Sequence, residues 1–229
     1  MKKFELTSEQ KINWFGRTLY RIRACMSFTT TSGEEIKEGD LGGWLEKESN
    51  LSHEGKGWVW GNAKVWGNAK VWGNAEVWGN AEVWGNAKVC GDANIFSTKH
   101  IFCVTPIGEY ANSLTLFRTK NCEIKISFEF EIYHLEEFRK MIHDSWDAEY
   151  VEIAEGAINL AKKHIDLTPE KKDIKPCPFC GGEAEIHNCA ELPDVKNITG
   201  YGVHCTKCHI ATIPYKTDDE AIDVWNNRI

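Results

Sequence analysis

The sequence predicts a mainly β protein with an added α+β part. Three observations predict it: a six-residue repeat, one long alternation of apolar and polar residues, and two C-x2-C pairs. The repeat reads VWGNAKVWGNAKVWGNAEVWGNAEVWGNAKVCGDANI over residues 59–95. A six-residue period marks a β-helix, in which each hexapeptide makes one short strand and a corner, and three of them close a coil. Helical packing would need apolar residues every ~3.6 positions, and a flat strand would alternate without a glycine at every sixth residue.

Residues 1–57 are expected to cap that coil. Within them residues 19–24, LYRIRA, alternate as a half-buried strand does, and the segment ends in the turn-rich GDLGGWLEKESNLSHEGKG. The β-helix itself is assigned to 58–95. Val59, Val65, Val71, Val77, Val83 and Val89, with Ile95, and the alanines at 63, 69, 75, 81, 87 and 93 would point inward, because a narrow prism admits one aliphatic and one small side chain per face. The Gly-Asn pairs supply corners, where positive φ is cheap for Gly and tolerable for Asn. Trp60, Trp66, Trp72, Trp78 and Trp84 then lie outside. With eighteen residues per coil, Trp60 stacks with Trp78, Trp66 with Trp84, Trp72 with Cys90, and Lys64 with Glu82, each about 4.8 Å apart along the ladder. Rings of ~150–250 Å² on all three faces exceed what a soluble monomer leaves bare, so they call for cover. Three readings compete. Capping segments and identical subunits cover the rings; or some rings form a platform for a planar ligand such as a nucleotide base; or the prism serves acyl transfer, with His53 or His100 as the base.

Residues 96–166 read as a small α+β domain. HIFCVT and SLTLFRT are strand-like, and EIKISFEFEI places Ile124, Ile126, Phe128, Phe130 and Ile132 on one side of a single strand. Leu135, Phe138 and Ile142 then recur at helical spacing, as do Val151, Ala154, Ile158, Ala161 and Ile165. Residues 167–176, within LTPEKKDIKP, read as a linker.

The net charge of −7 argues against general nucleic-acid binding or adhesion to anionic membrane. From 129 to 155 nine carboxylates face only Arg139 and Lys140, so this stretch alone carries −7. It reads either as a solvated face or as a lure for a basic partner such as a DNA-handling enzyme. No apolar run reaches signal-peptide or membrane-span length, and a cytoplasmic protein is expected.

Residues 177–229 carry the clearest chemistry. Cys177 and Cys180, then 24 intervening residues, then Cys205 and Cys208 place four soft thiolates where a zinc ribbon wants them. Four thiolates fill a tetrahedron and leave no position for water, so the zinc is read as structural. His187, Cys189, His204 and His209 lie nearby as lesser candidates, and Cys25, Cys90, Cys103, Cys122 and Cys189 read as free thiols. Thr217 and Glu220 form a capping box ahead of a helix carrying Ala221, Ile222 and Trp225.

These motifs carry three resemblances. The repeat resembles the hexapeptide-repeat family of left-handed β-helices, many of them trimeric acyltransferases. That resemblance implies the hand of the coil and favours a homo-oligomer, a trimer first, although six uninterrupted repeats are short for such an enzyme. GDLGGW at 39–44 and NLS at 50–52, joined to V-x-G-N-A repeats, resemble a group of phage and prophage proteins with no established enzymatic activity. CPFCGG, the later CxxC and a close built from Ala221, Trp225, Asn226 and Arg228 resemble the Lar-type restriction-alleviation family over 171–229. The stretch from 189 to 200 is long for that family. Together they imply a non-catalytic phage anti-defence protein that binds a host defence protein or sequesters a nucleotide signal. An acyltransferase-like enzyme and a structural oligomerisation module carrying a zinc-ribbon interaction domain are the alternatives.

Overall fold

The computed structural model describes residues 2–129, 131–169, 174–189 and 200–227. Phe130, read above as inward-facing, and Arg228, part of the closing motif, lie outside the described residues, as do 170–173 of the linker and 190–199 of the long stretch. The chain divides into two compact units, Met1–Thr168 and Pro169–Ile229.

The first unit opens with an antiparallel hairpin, β1 (Phe4–Ile12) and β2 (Thr18–Ala24), then a small hairpin of β3 (Phe28–Thr29) and β4 (Glu35–Ile36), then β5 (Leu41–Leu45). Seven two-residue strands follow: β6 (Trp58–Val59), β7 (Lys64–Val65), β8 (Lys70–Val71), β9 (Glu76–Val77), β10 (Glu82–Val83), β11 (Lys88–Val89) and β12 (Asn94–Ile95). They pair in parallel at an offset of eighteen residues, Val59 with Val77, Val77 with Ile95, Val65 with Val83 and Val71 with Val89. Three ladders result, one per face. The chain visits each ladder in turn.

The ladders begin earlier than the repeat suggests. Leu45 pairs with Val65 and Leu51 with Val71, both in parallel and both twenty residues apart. Leu45, Leu51 and Val59 therefore make a first coil under Val65, Val71 and Val77, and Val83, Val89 and Ile95 make the third. The expected boundary at 57 is not a structural one, because parallel pairing crosses it. It was hidden by leucine in place of valine and by an eight-residue step from Leu51 to Val59. All nine aliphatic side chains are at most 2 % exposed, as are the six repeat alanines. Burial of each of the larger ones is worth roughly 1.5–3 kcal/mol. The corner glycines from Gly61 to Gly91 sit at φ between +52° and +71°, the left-handed turn that the repeat needs.

The remaining strands of this unit form one antiparallel sheet, β13 (Ile101–Ile107), β14 (Asn112–Arg118), β15 (Ile124–Phe128) and β16 (Glu131–His134), backed by α1 (Leu135–Ser145) and α2 (Ala148–His164). The single strand expected over EIKISFEFEI is instead a hairpin: Phe128 pairs with Glu131, and Glu129 takes a φ of +53°. A turn with neither Gly nor Pro leaves the apolar alternation unbroken, so periodicity cannot reveal it. Ile132 is accordingly 40 % exposed instead of inward. Leu114, Leu116, Ile126, Phe138, Ile142, Ala154, Ile158 and Ala161 fill the core between sheet and helices. The sheet also closes the coil: Phe117 is buried in the coil's own core, the Thr115 hydroxyl accepts from the Lys88 N–H (3.0 Å), and Lys125 pairs with Asp92 (3.1 Å).

The second unit is a hairpin of β17 (Ala184–Asn188) and β18 (Tyr201–Cys205), followed by α3 (Asp218–Asn226). The expected capping box forms: the Thr217 hydroxyl accepts from the Glu220 N–H (3.2 Å), and a Glu220 carboxylate oxygen accepts from the Thr217 N–H (3.4 Å). Ala221, Ile222 and Trp225 are buried against Val203 and Cys205.

Candidate metal centre and tryptophan columns

Cys177, Cys180, Cys205 and Cys208 come together, each sulfur within 4.8 Å of the others. The Cys177 and Cys208 sulfurs are 3.6 Å apart and those of Cys180 and Cys205 3.5 Å. A tetrahedral Zn²⁺ with ~2.3 Å bonds holds its sulfurs ~3.8 Å apart, so the donor set and its size fit that ion. Backbone amides aim at the sulfurs: the N–H groups of Lys207 and Cys208 donate to Cys205 Sγ at 3.3 and 3.4 Å. Those donors, Cys208 first, pull the Cys205 thiol down to about 6, toward the thiolate a metal requires. A Cβ on Gly182 would meet the Cys205 and Cys180 sulfurs at 3.2 and 3.3 Å and Lys207 Cβ at 2.8 Å, which explains the second glycine of CPFCGG. The closing Trp-Asn pins the approach to the first knuckle: Trp225 Nε1 donates to the Lys175 carbonyl and Asn226 Oδ1 accepts from the Lys175 N–H, both at 2.8 Å. His187 and His204 face each other (Nδ1 to Nδ1 3.2 Å) outside the four-cysteine cluster, and neither Cys189 nor His209 belongs to that cluster. Among the described residues no other group of three or more such side chains gathers.

Most of the tryptophans are at least partly covered within the chain. Trp60, Trp78 and Phe96 form one stack, with centroids 4.3 and 5.9 Å apart, and Trp60 Nε1 donates to the buried Glu76 (3.3 Å), which also accepts from Ser32. Trp66 is 4 % exposed, packed with Leu19 and Trp44 and stacked on Trp84 at 6.2 Å. Trp72 is half-buried. Of the five, only Trp84 is largely open, at 55 %. Rings a coil apart cover one another, and Leu19 and Trp44, from before the repeat, pack on Trp66. The same eighteen-residue arithmetic that pairs Lys64 with Glu82 (2.6 Å) also sets Lys70 beside Lys88, a signal legible in the sequence but not drawn from it.

Neither histidine offered as a base is idle. His53 stacks on Phe4 at 4.4 Å, accepts from the Lys3 N–H and meets Glu48 at 2.7 Å. His100 is 7 % exposed and accepts from the Phe96 N–H; burial, and next the charge of Arg118, hold it below the ordinary histidine range. Among the described residues no helix is long and apolar enough to cross a membrane.

With this geometry in place, residues 172–229 match the family described as Restriction alleviation protein Lar, which is 58 of the 229 residues. The match does not extend to the repeats. No curated protein matches the chain.

Proposed function

We propose that the protein is a non-catalytic phage anti-defence factor of the restriction-alleviation type, in which the zinc-held ribbon engages a host protein. The observation that carries this reading is the family match over 172–229 coinciding with a four-cysteine centre sized for zinc. The rest of the chain is read as its scaffold, a short left-handed β-helix of hexapeptide repeats that self-associates, a trimer first. The parallel eighteen-residue ladders support the helix. The exposed Ile12, Trp14, Phe15 and Trp84 support an association surface. The engaged state of His53 and His100 favours binding over catalysis, and the acidic stretch 129–155 is read as a surface for a basic partner.

The test is the plating efficiency of unmodified phage on cells carrying a type I restriction system, with and without the protein. The expected result is a rise of at least tenfold with the native chain and none with Cys205→Ser. Unchanged plating with the native protein, or full activity of the Cys205→Ser chain, would overturn the reading.

A further inference from the structure

The acidic stretch 129–155 is only partly neutralised by the chain's own cations. Some of its carboxylates find partners: Arg139 meets Glu136 and Glu155, both at 3.1 Å, and Glu137 accepts from the His134 N–H (3.0 Å). Others do not. A cavity of about 370 Å³ opens in the first unit between the β13–β14 turn, the β15–β16 turn and the α1–α2 junction, and exposed Glu109, Glu129 and Asp147 all line it. Glu129 accepts from the Asn112 amide through one oxygen (2.7 Å). Among the described residues none of the three carboxylates has an ion-pair partner.

The same cavity is walled by rings: Tyr110, Phe128, Tyr133, Trp146 and Tyr150. Trp146 is fixed in place. Its ring packs tilted on Phe128 (centroids 5.3 Å) and edge-on to Phe138 (6.1 Å), and it passes over Gly108, where a Cβ would sit 3.3 Å from Cη2. Tyr133 packs edge-on to Phe138 (5.6 Å), and its hydroxyl donates to Glu131 (2.6 Å). These rings are ordered before any ligand arrives, which lowers the entropic cost of binding one.

Rings alone would suit any apolar group, and carboxylates alone would hold a hydrated ion. Together they select an organic cation. A guanidinium meets both demands, because it is planar and weakly hydrated, stacks on aromatic faces and donates N–H bonds to carboxylates in its own plane; an ammonium is a compact, strongly hydrated point charge. We propose that this cavity receives an arginine side chain of a basic protein partner: the guanidinium stacks within the ring walls, and Glu109, Glu129 and Asp147 supply the acceptors. Such an anchor deepens the reading of 129–155 as a surface for a basic partner and rests on it. The site itself lies wholly in the first unit and needs nothing from the ribbon.

Titration of the full chain with blocked glycine pentapeptides carrying one central arginine, lysine or citrulline, followed by amide and indole resonances, tests it. The arginine peptide should shift the Trp146 indole and Gly108 amide signals saturably, with a Kd of about 1 mM. Citrulline keeps the shape and loses the charge, so its peptide should bind about tenfold or more weakly, and the lysine peptide about threefold or more weakly. Glu129→Gln with Asp147→Asn keeps an acceptor for Asn112 and a good N-cap for α2, and should weaken the arginine peptide about tenfold in a chain that still folds. No shift at Trp146 or Gly108 with about 20 mM arginine peptide would overturn the proposal. So would citrulline or lysine binding as tightly as arginine, or a folded double variant that binds as the native chain does. Such a failure beside a positive plating result would strike the arginine anchor and leave restriction alleviation standing; saturable arginine binding beside unchanged plating would do the reverse.

Discussion

Lys3 is only 3 % exposed, an unusual place for an ammonium group. Its Nζ donates to the Gly57 and Gly55 carbonyls at 2.9 and 3.3 Å and lies 5.7 Å from the Phe28 ring centre, so it ties the N-terminal strand to the eight-residue step of the first coil. Burial lowers its pKa from 10.5 to about 8. Between those two values the unfolded chain holds a proton that the folded chain has released, so stability should rise as pH climbs from about 8 to 10.5. Below pH 8 the lysine is charged in both states and the cost stands in full, on the order of 3 kcal/mol for a shift of this size. Urea melts at pH 7, 8.5 and 10 should show that rise in the native chain and a flatter profile in Lys3→Met; equal pH slopes would place the titration elsewhere. Asn50 solves a related problem without charge. Fully buried in the NLS motif, it donates to the Gly67 and Ala69 carbonyls and accepts from the Lys47 N–H, which accounts for an asparagine at that position.

At the scale of elements, the two glycines of GDLGGW lie in β5, where the chain enters the first coil. A Cβ on Gly43 would sit 2.6 Å from Val59 Cγ1 and 2.7 Å from the Ala63 carbonyl oxygen; one on Gly42 would sit 2.7 Å from the Val59 carbonyl oxygen. Gly43→Ala should therefore cost about 1–3 kcal/mol, since backbone must shift to admit the methyl. Gly156→Ala in α2, where nothing lies within 4 Å, should have the opposite sign, a gain of about 0.5–1 kcal/mol. Thermal melts of the two variants check the pair together; a neutral Gly43→Ala would mean that β5 is free to lift from the coil. Much of this architecture was legible because a strict period translates directly into register: valine over valine, Lys64 beside Glu82, and the two C-x2-C pairs into one cluster. The rest failed where the period stopped carrying information. Leu45 and Leu51 are six residues apart, but the eight-residue step to Val59 breaks the period and the Gly-Asn-Ala that advertised it is missing. The turn at Glu129 left the alternation in phase. The cover over Trp66 comes from Leu19 and Trp44, side chains brought close by pairings that no local pattern encodes.

The whole molecule joins two kinds of stability. In the first unit one core runs from Phe4 and Ile22 through the three coils to Phe117, so cap, ladders and sheet share buried surface and should melt cooperatively without any ion. Among the described residues the apolar cluster of the second unit is small, Cys177, Val203, Cys205, Ala221, Ile222 and Trp225, of which two are metal ligands. So small a core does not outweigh chain entropy unaided, and a bound zinc supplies what is missing, because metal bound only by the folded form is folding free energy. Chelation should then unfold one unit and spare the other. Amide exchange followed with and without a zinc chelator at neutral pH reads this directly. Protection of the Tyr201–Cys205 amides should fall to that of an unfolded chain and return on adding zinc, while the Trp66 and Trp72 amides, bonded to the Val83 and Val89 carbonyls, keep theirs. Protected ribbon amides in the chelated chain would mean that the four sulfurs pack without an ion. Loss of protection in the ladders would mean that the two units fold as one, and that the zinc site holds up the coil as well as the ribbon.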